Sequence, residues 1–186
     1  MSYKDKREFD TKAAREIYEL GQDLLSDDRT WQMKEFIQHG HTSVYEHVVS
    51  VAKFSLVYAN FLEDRFGIKI DKRSLVRGAL LHDYFLYDWH VKGDQGFFHG
   101  YTHPYRALKN ANRDFDLNYK EMDIIKKHMF PLTPFPPRFK ESMIVCMADK
   151  WCALCETFKI DVSSYIVYRL NLRQSLDSGR IVIIEA

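Results

Sequence analysis

Ligand-type side chains set into apolar helical faces constrain this chain more than any other feature. The run Leu80-Leu81-His82-Asp83 closes an apolar stretch with an imidazole and a carboxylate from neighbouring positions. His47, His103, His128 and Asp149 accompany it, each in its own predicted helix or at a helix end. An ionised carboxylate buried without a partner is costly, so a fold that buries these faces must bring the groups to one another or to a cation. One site holding two metal ions accounts for all six at once, whereas separate burial requires several hydrogen-bonded partners.

The helices follow from periodicity and end signals. Residues 9–26 carry Ala13, Ile17, Leu20 and Leu24 at helical spacing, with Asp10 or Thr11 as the expected cap. Residues 30–37 predict a second short helix. Gln38-His39-Gly40-His41 then breaks the pattern and places His39 and His41 in a loop, outside the site. Ser43 and Glu46 form a capping-box pair, which predicts a long helix to about Phe66, ended by Gly67. His47 shares its face with Val44, Val51 and Phe54, so it points inward. Asp71 caps the next helix, in which the small residues Gly78 and Ala79 allow a helix or a ligand to approach one turn before His82.

Tyr84 to His90 is strongly aromatic and reads as a helical turn followed by a loop. Lys92-Gly93-Asp94-Gln95-Gly96 is a loop, either a lid over a pocket or a surface connection. Pro104 fits the first position of a further helix, which leaves His103 at its cap. Asn118 and Glu121 are a second capping box, opening a helix to about Met129 whose inner face carries Ile124, Ile125 and His128. Pro131, Pro134, Pro136 and Pro137 predict a stiff extended connection. A last helix covers about 138–158, with Asp149 between Val145-Cys146 and Cys152-Ala153. Beyond it, residues 165–172 read as a helix and 180–184 as a short strand or docked strip.

A chain of 186 residues with 46% hydrophobic content supports one domain with a real core. The motif-bearing part spans about 40–158, and 159–186 is a C-terminal extension. Lys plus Arg number 27 against 26 Asp plus Glu, so no global charge steers the chain to nucleic acid, and no stable nucleic-acid complex is expected. The charged N-terminus, the lack of any membrane-length apolar run and three sparse cysteines predict a cytoplasmic location without a disulfide framework. Cys152 and Cys155, in one helix without a second pair, read as core packing.

The fold class expected is therefore all-α, a helical bundle with a metal site in its core. Each ligand is separated from the next by about one helix and a loop, which is how a bundle gathers ligands. Histidine and carboxylate donors without thiolate suit Mn, Fe, Co, Ni or Mg. Such ions lower the pKa of bound water, polarise a phosphoryl oxygen and align the attack, which points to a metal-dependent hydrolase acting on a phosphate ester. Asp88 and His90 are candidates for general acid or base, or are surface residues. Lys92, Arg106 and Lys150 are the basic residues nearest the ligands in sequence, and either hold phosphate or are solvated charges. Phe97-Phe98 and Tyr84 to Trp89 either line a pocket for a ring or pack in the core.

The ordered set His47, His82-Asp83, His103, His128 and Asp149 resembles the HD-domain superfamily of metal-dependent phosphohydrolases, over roughly residues 40–158. The resemblance implies an HD-type helical bundle in which His47, His82, Asp83 and Asp149 hold one metal. Asp83, as a bridging and catalytic carboxylate, would hold a second together with His103 and His128. It implies a small phosphorylated substrate, such as a nucleotide. The same ligand order is similar to HD-fold di-iron oxygenases, and a nucleotide- or metal-sensing module without turnover is the non-enzymatic alternative.

Overall fold

The structure, a computed structural model, describes residues 3–39, 41–85, 99–158 and 160, with side chains described from residue 11 onward and not for 39, 99 or 100. Its described part is all-α apart from one small hairpin. The elements are α1 (Tyr3–Leu25), α2 (Asp28–Trp31), a 3-10 turn (Gln32–Glu35), β1 (Ile37–His39), β2 (Thr42–Ser43), α3 (Val44–Phe66), α4 (Lys72–Leu81), α5 (His99–Asp114), α6 (Tyr119–Lys127) and α7 (Lys140–Thr157). Among the described residues no helix is long and apolar enough to cross a membrane.

Helix α4 is the hub, packing against α1, α3, α5, α6 and α7. Its buried residues run from Ser74 to Leu81 without interruption, so it is covered on all sides. A short helix buried in this way places whatever follows it inside the protein, and His82-Asp83 follows it. Val48, Val51, Leu75, Leu80, Ile125 and Val145 belong to an apolar cluster that joins α3, α4, α6 and α7. Gly78 sets the spacing between α4 and α6. A Cβ built there would lie 2.5 Å from Ile124 Cδ1 and 2.9 Å from its Cγ2, so the close approach is to a helix rather than a ligand.

The caps that position the site lie where the sequence puts them. The Ser43 side chain accepts from the Glu46 N–H while the Glu46 carboxylate accepts from the Ser43 N–H, opening α3. Gly67 ends α3 at φ 67°, a left-handed conformation that a residue with a Cβ rarely takes. Asp71 accepts from the Ser74 N–H at the start of α4, and Asn118 with Glu121 forms the capping box of α6.

Four expectations are corrected. Helix α1 starts at Tyr3, so Asp10 and Thr11 lie inside it; the Lys, Arg and Glu residues ahead of them are good helix formers, and a capping residue type does not by itself start a helix. Residues 30–37 are not one helix: Asp27 caps α2, the 3-10 turn follows, and Ile37–His39 pairs antiparallel with Thr42–Ser43, so His39 is in a strand. Helix α5 begins at His99 and contains Pro104, so His103 is not its cap. As the sixth residue of α5, Pro104 lies past the four unpaired amides of the helix start, and its missing N–H costs the helix one hydrogen bond, to the carbonyl four residues earlier. The proline-rich stretch after His128 is a series of turns rather than an extended strap, with Phe130 N–H donating to the Lys127 carbonyl and Thr133 N–H to that of Met129. Proline fixes φ near −65°, which suits turns as well as extended chain.

The readings for residues 86–90, the loop 92–96, Phe97-Phe98, the helix at 165–172 and the strand at 180–184 lie outside the described residues. Tyr84 and Phe85 are fully buried core residues. Cys152 belongs to the apolar cluster and Cys155 is buried as a free thiol.

Candidate metal centre

Five helices deliver the six residues. His47 comes from the first turn of α3, His82 and Asp83 from the end of α4, His103 from α5, His128 from the end of α6 and Asp149 from the middle of α7. All are buried, with His47 and His82 showing no exposed surface. Their donor atoms fall into two groups, His47–His82–Asp149 and Asp83–His103–His128, each with its ligand atoms within 4.8 Å of one another.

Asp83 lies between the groups. Its Oδ2 is 3.4 Å from His82 Nε2 and 3.8 Å from His47 Nε2, while its Oδ1 is 3.3 Å from His103 Nε2 and 3.4 Å from His128 Nε2. His47 Nε2 is 3.1 Å from Asp149 Oδ1, and His82 Nε2 is 3.6 Å from the same oxygen. The Asp149 carboxylate is therefore paired with the imidazoles of His47 and His82.

The rings are held by their far nitrogens. His82 Nδ1 donates to the Ala79 carbonyl at 2.7 Å and His128 Nδ1 to the Ile125 carbonyl at 2.8 Å. A carbonyl can only accept, so each Nδ1 carries a hydrogen and each Nε2 turns inward. His47 Nδ1 meets both oxygens of Glu156, at 3.1 and 2.9 Å. Imidazoles braced in this way are oriented for ligation through Nε2.

The protonation pattern follows from the same contacts. Burial works against charge on His47, yet the carboxylates of Asp149 and Glu156 outweigh it and push the imidazole up to about 10. His82 is raised as well: burial opposes its charge, and Asp83 and Asp149 overcome it. Burial pushes His128 down to about 3, with the neighbouring His103 and His82 adding to the effect against the pull of Asp83. Burial favours the neutral acid at Asp83 and Asp149, but the imidazoles around them hold both carboxyls below the usual range. With His128 neutral and its Nδ1–H on Ile125, its Nε2 is an acceptor; the 2.8 Å contact to His103 Nε2 therefore has His103 as donor.

Among the described residues, two buried polar atoms in this cluster, His82 Nε2 and Asp83 Oδ1, make ion-pair contacts but no hydrogen bond. Leaving such atoms unpaired costs about 1–3 kcal/mol each. Both point at the other donors, and a cation would satisfy them. The nitrogen and oxygen donors are those of a divalent-metal site, so the residues present fit such ions.

The other candidates are distributed differently. Asp88, His90 and Lys92 lie outside the described residues. Arg106 is half-buried on α5, one turn beyond His103. Lys150 donates its ammonium to the His128 carbonyl at 2.8 Å and to the carbonyl and thiol of Cys146 at 3.2 and 3.3 Å, bracing the end of α6 from behind. His41 is exposed.

Two residues at the site were not anticipated. Gln38, buried in β1, donates from Nε2 to Asp83 Oδ2 at 2.7 Å. No periodicity marked it, because the segment reads locally as a helix end. Glu156 did leave a signal: it lies seven positions after Asp149 on the same helical face, two turns on.

Comparison with protein-family models finds no match, and no solved structure matches the chain. One characterised relative is similar to it, the dihydroneopterin 2′,3′-cyclic phosphate phosphodiesterase of Methanocaldococcus jannaschii. It is 30% identical over 111 residues, covering 56% of this chain and 44% of that protein. The chain thus aligns with less than half the length of this relative. The sequence similarity is to a phosphodiesterase.

Proposed function

We propose that this chain is a divalent-metal-dependent phosphohydrolase of the HD-domain type, folded as one domain and acting on a phosphate ester of a small metabolite. The observation that carries the reading is the convergence of six buried donors in two groups, with His82 Nε2 and Asp83 Oδ1 making only ion-pair contacts and no hydrogen bond among the described residues. His47, His82, Asp83 and Asp149 would hold one ion, and Asp83, His103 and His128 the other. Such ions activate water and polarise the phosphoryl group. The protein's own part is to keep the Nε2 atoms inward, through the Nδ1 contacts to Ala79, Ile125 and Glu156. Asp83, between the two groups, is the proposed shared carboxylate.

The proposed substrate class takes its support from the relative, whose name specifies dihydroneopterin 2′,3′-cyclic phosphate. A cyclic phosphodiester of a nucleotide or similar ring-bearing metabolite is therefore the first substrate to test. Asp88 and His90 are proposed proton carriers, and Lys92 and Arg106 proposed anion contacts. Lys150 bonds to the His128 and Cys146 backbone, and in this arrangement it serves the scaffold.

The test is hydrolysis of 2′,3′-cyclic nucleotides and of bis(p-nitrophenyl) phosphate by chelator-treated protein, before and after reloading with Mn, Co or Mg. Hydrolysis that appears only on reloading, and is missing from Asp83→Ala, supports the proposal. Hydrolysis that survives both chelation and Asp83→Ala would overturn it. Two irons per chain with no hydrolysis would turn the reading to oxygen chemistry at the same donors.

A further inference from the structure

We propose that Glu156 is a positioning residue for metal loading: it fixes His47 with Nε2 toward the site, and its charge makes His47–His82–Asp149 the tighter of the two groups. The inference rests on the metal-binding reading above and adds an order of occupancy and a residue that sets it.

The geometry sets His47 apart from His82 and His128. His82 and His128 are each braced by the carbonyl three residues earlier in their own helix, a neutral acceptor that any sequence would supply. His47 is braced instead by a buried carboxylate from another helix, 109 positions away, with both oxygens against Nδ1. A carboxylate can only accept, so the contact assigns the Nδ1 hydrogen and leaves Nε2 for the site. Asp149 Oδ1 stands at that other nitrogen, 3.1 Å away. The two carboxylates rise two turns apart from one face of α7 and bracket the same imidazole.

This makes the two groups unequal. The first holds the Asp149 carboxylate, is 3.4 Å from Asp83 at His82 Nε2, and has the Glu156 charge immediately behind His47. The second has Asp83 alone, with Lys150, a cation, on the backbone behind His128. A carboxylate hydrogen-bonded to a ligating imidazole raises its basicity, and loss of such a partner typically weakens metal binding by about 10–100-fold. The first group is therefore the one filled at the lower metal concentration.

The experiment is Mn2+ titration by calorimetry on the chelator-stripped full chain, repeated in a His103→Ala background that leaves only the His47 group intact. Glu156→Leu removes the acceptor and the charge; Glu156→Gln keeps an acceptor of the same shape. The expected result is two binding events in the parent chain. Glu156→Leu then weakens the tighter event by about 10–100-fold and leaves the weaker one within about twofold. The same loss appears in the His103→Ala background, and Glu156→Gln loses clearly less than Glu156→Leu. Circular dichroism and melting confirm that Glu156→Gln folds. Unchanged binding in Glu156→Leu, an equal loss at both events, or Glu156→Gln binding as tightly as the parent chain, which would leave the charge no part, would overturn the inference. A parent chain that takes up no metal would fail earlier and would overturn the underlying metal reading with it.

Discussion

Replacing Gly78 by alanine links the packing of the bundle to its site. The added methyl would lie 2.5 Å from Ile124 Cδ1, 2.9 Å from Cγ2 and 3.0 Å from Cβ. The Cδ1 atom can swing away, but Cβ is fixed to the α6 backbone and Cγ2 is held by the one χ1 rotamer a β-branched residue favours in a helix, so the helix itself must shift. Overpacking of this kind costs about 1–3 kcal/mol. The better helix propensity of alanine returns up to about 1 kcal/mol. The net expectation is a destabilisation of up to about 2 kcal/mol, a fall in melting temperature of up to roughly 8 °C for a chain of this size. Because α6 ends at His128, whose Nε2 is 3.4 Å from Asp83 Oδ1, the same shift should weaken metal binding at the Asp83–His103–His128 group. Thermal melting of chelator-treated Gly78→Ala, followed by metal titration, measures both effects. Adding Ile124→Val, which removes the closest atom, should recover part of the stability. A melting temperature at or above that of the parent chain would refute the argument that Gly78 sets the α4–α6 spacing.

Asp83→Ala should keep the helical circular-dichroism spectrum while lowering metal-dependent hydrolysis by more than about 100-fold, beyond what losing an outer partner of a ligand costs; wild-type-like turnover would remove Asp83 from the site. In metal-free protein, His47 titrates at about 10, above its ordinary value near 6.5, so the folded state holds a proton that the unfolded chain loses in between. That contribution is fully present below about pH 6.5 and is lost as pH rises through about 10, so chelator-treated protein should lose stability across this window. Metal uptake at pH 8 should release the same proton, and calorimetry in buffers of different ionisation enthalpy would detect it; uptake with no proton release would contradict the assignment. Arg77 and Glu121 form a buried pair at 2.7 Å, with Arg77 also donating to the Asp116 carbonyl, so Arg77→Met should cost about 3–5 kcal/mol in urea unfolding. Adding Glu121→Gln, which keeps the α6 cap, should return part of that loss, whereas a neutral effect of Arg77→Met would show that the pair is dispensable.

Much of this arrangement was legible because its signals are local. Ser43, Asp71 and Asn118 each announce a helix start through a side chain that reaches only three residues ahead. Gly67 marks an end through its own backbone conformation. The convergence of His47, His82, Asp83, His103, His128 and Asp149 was legible from their inward faces, since a polar group on an apolar stripe must find a partner inside. The start of α5 was misread because Pro104 also fits a first-turn position, and local sequence cannot tell which residues ahead of it continue the helix. Gln38 was invisible because its partner, Asp83, is 45 positions away and its own strand is three residues long. Glu156 shares a face with Asp149, but its contact to His47 depends on how α3 meets α7, which no local pattern encodes.

The most direct test of the central claim is metal content by elemental analysis on protein purified without chelator, with hydrolysis of a 2′,3′-cyclic nucleotide measured on the same batch. About two divalent ions per chain and metal-dependent opening of the cyclic phosphate are expected. Protein that carries no metal, takes up none on titration and still hydrolyses the ester would contradict that claim.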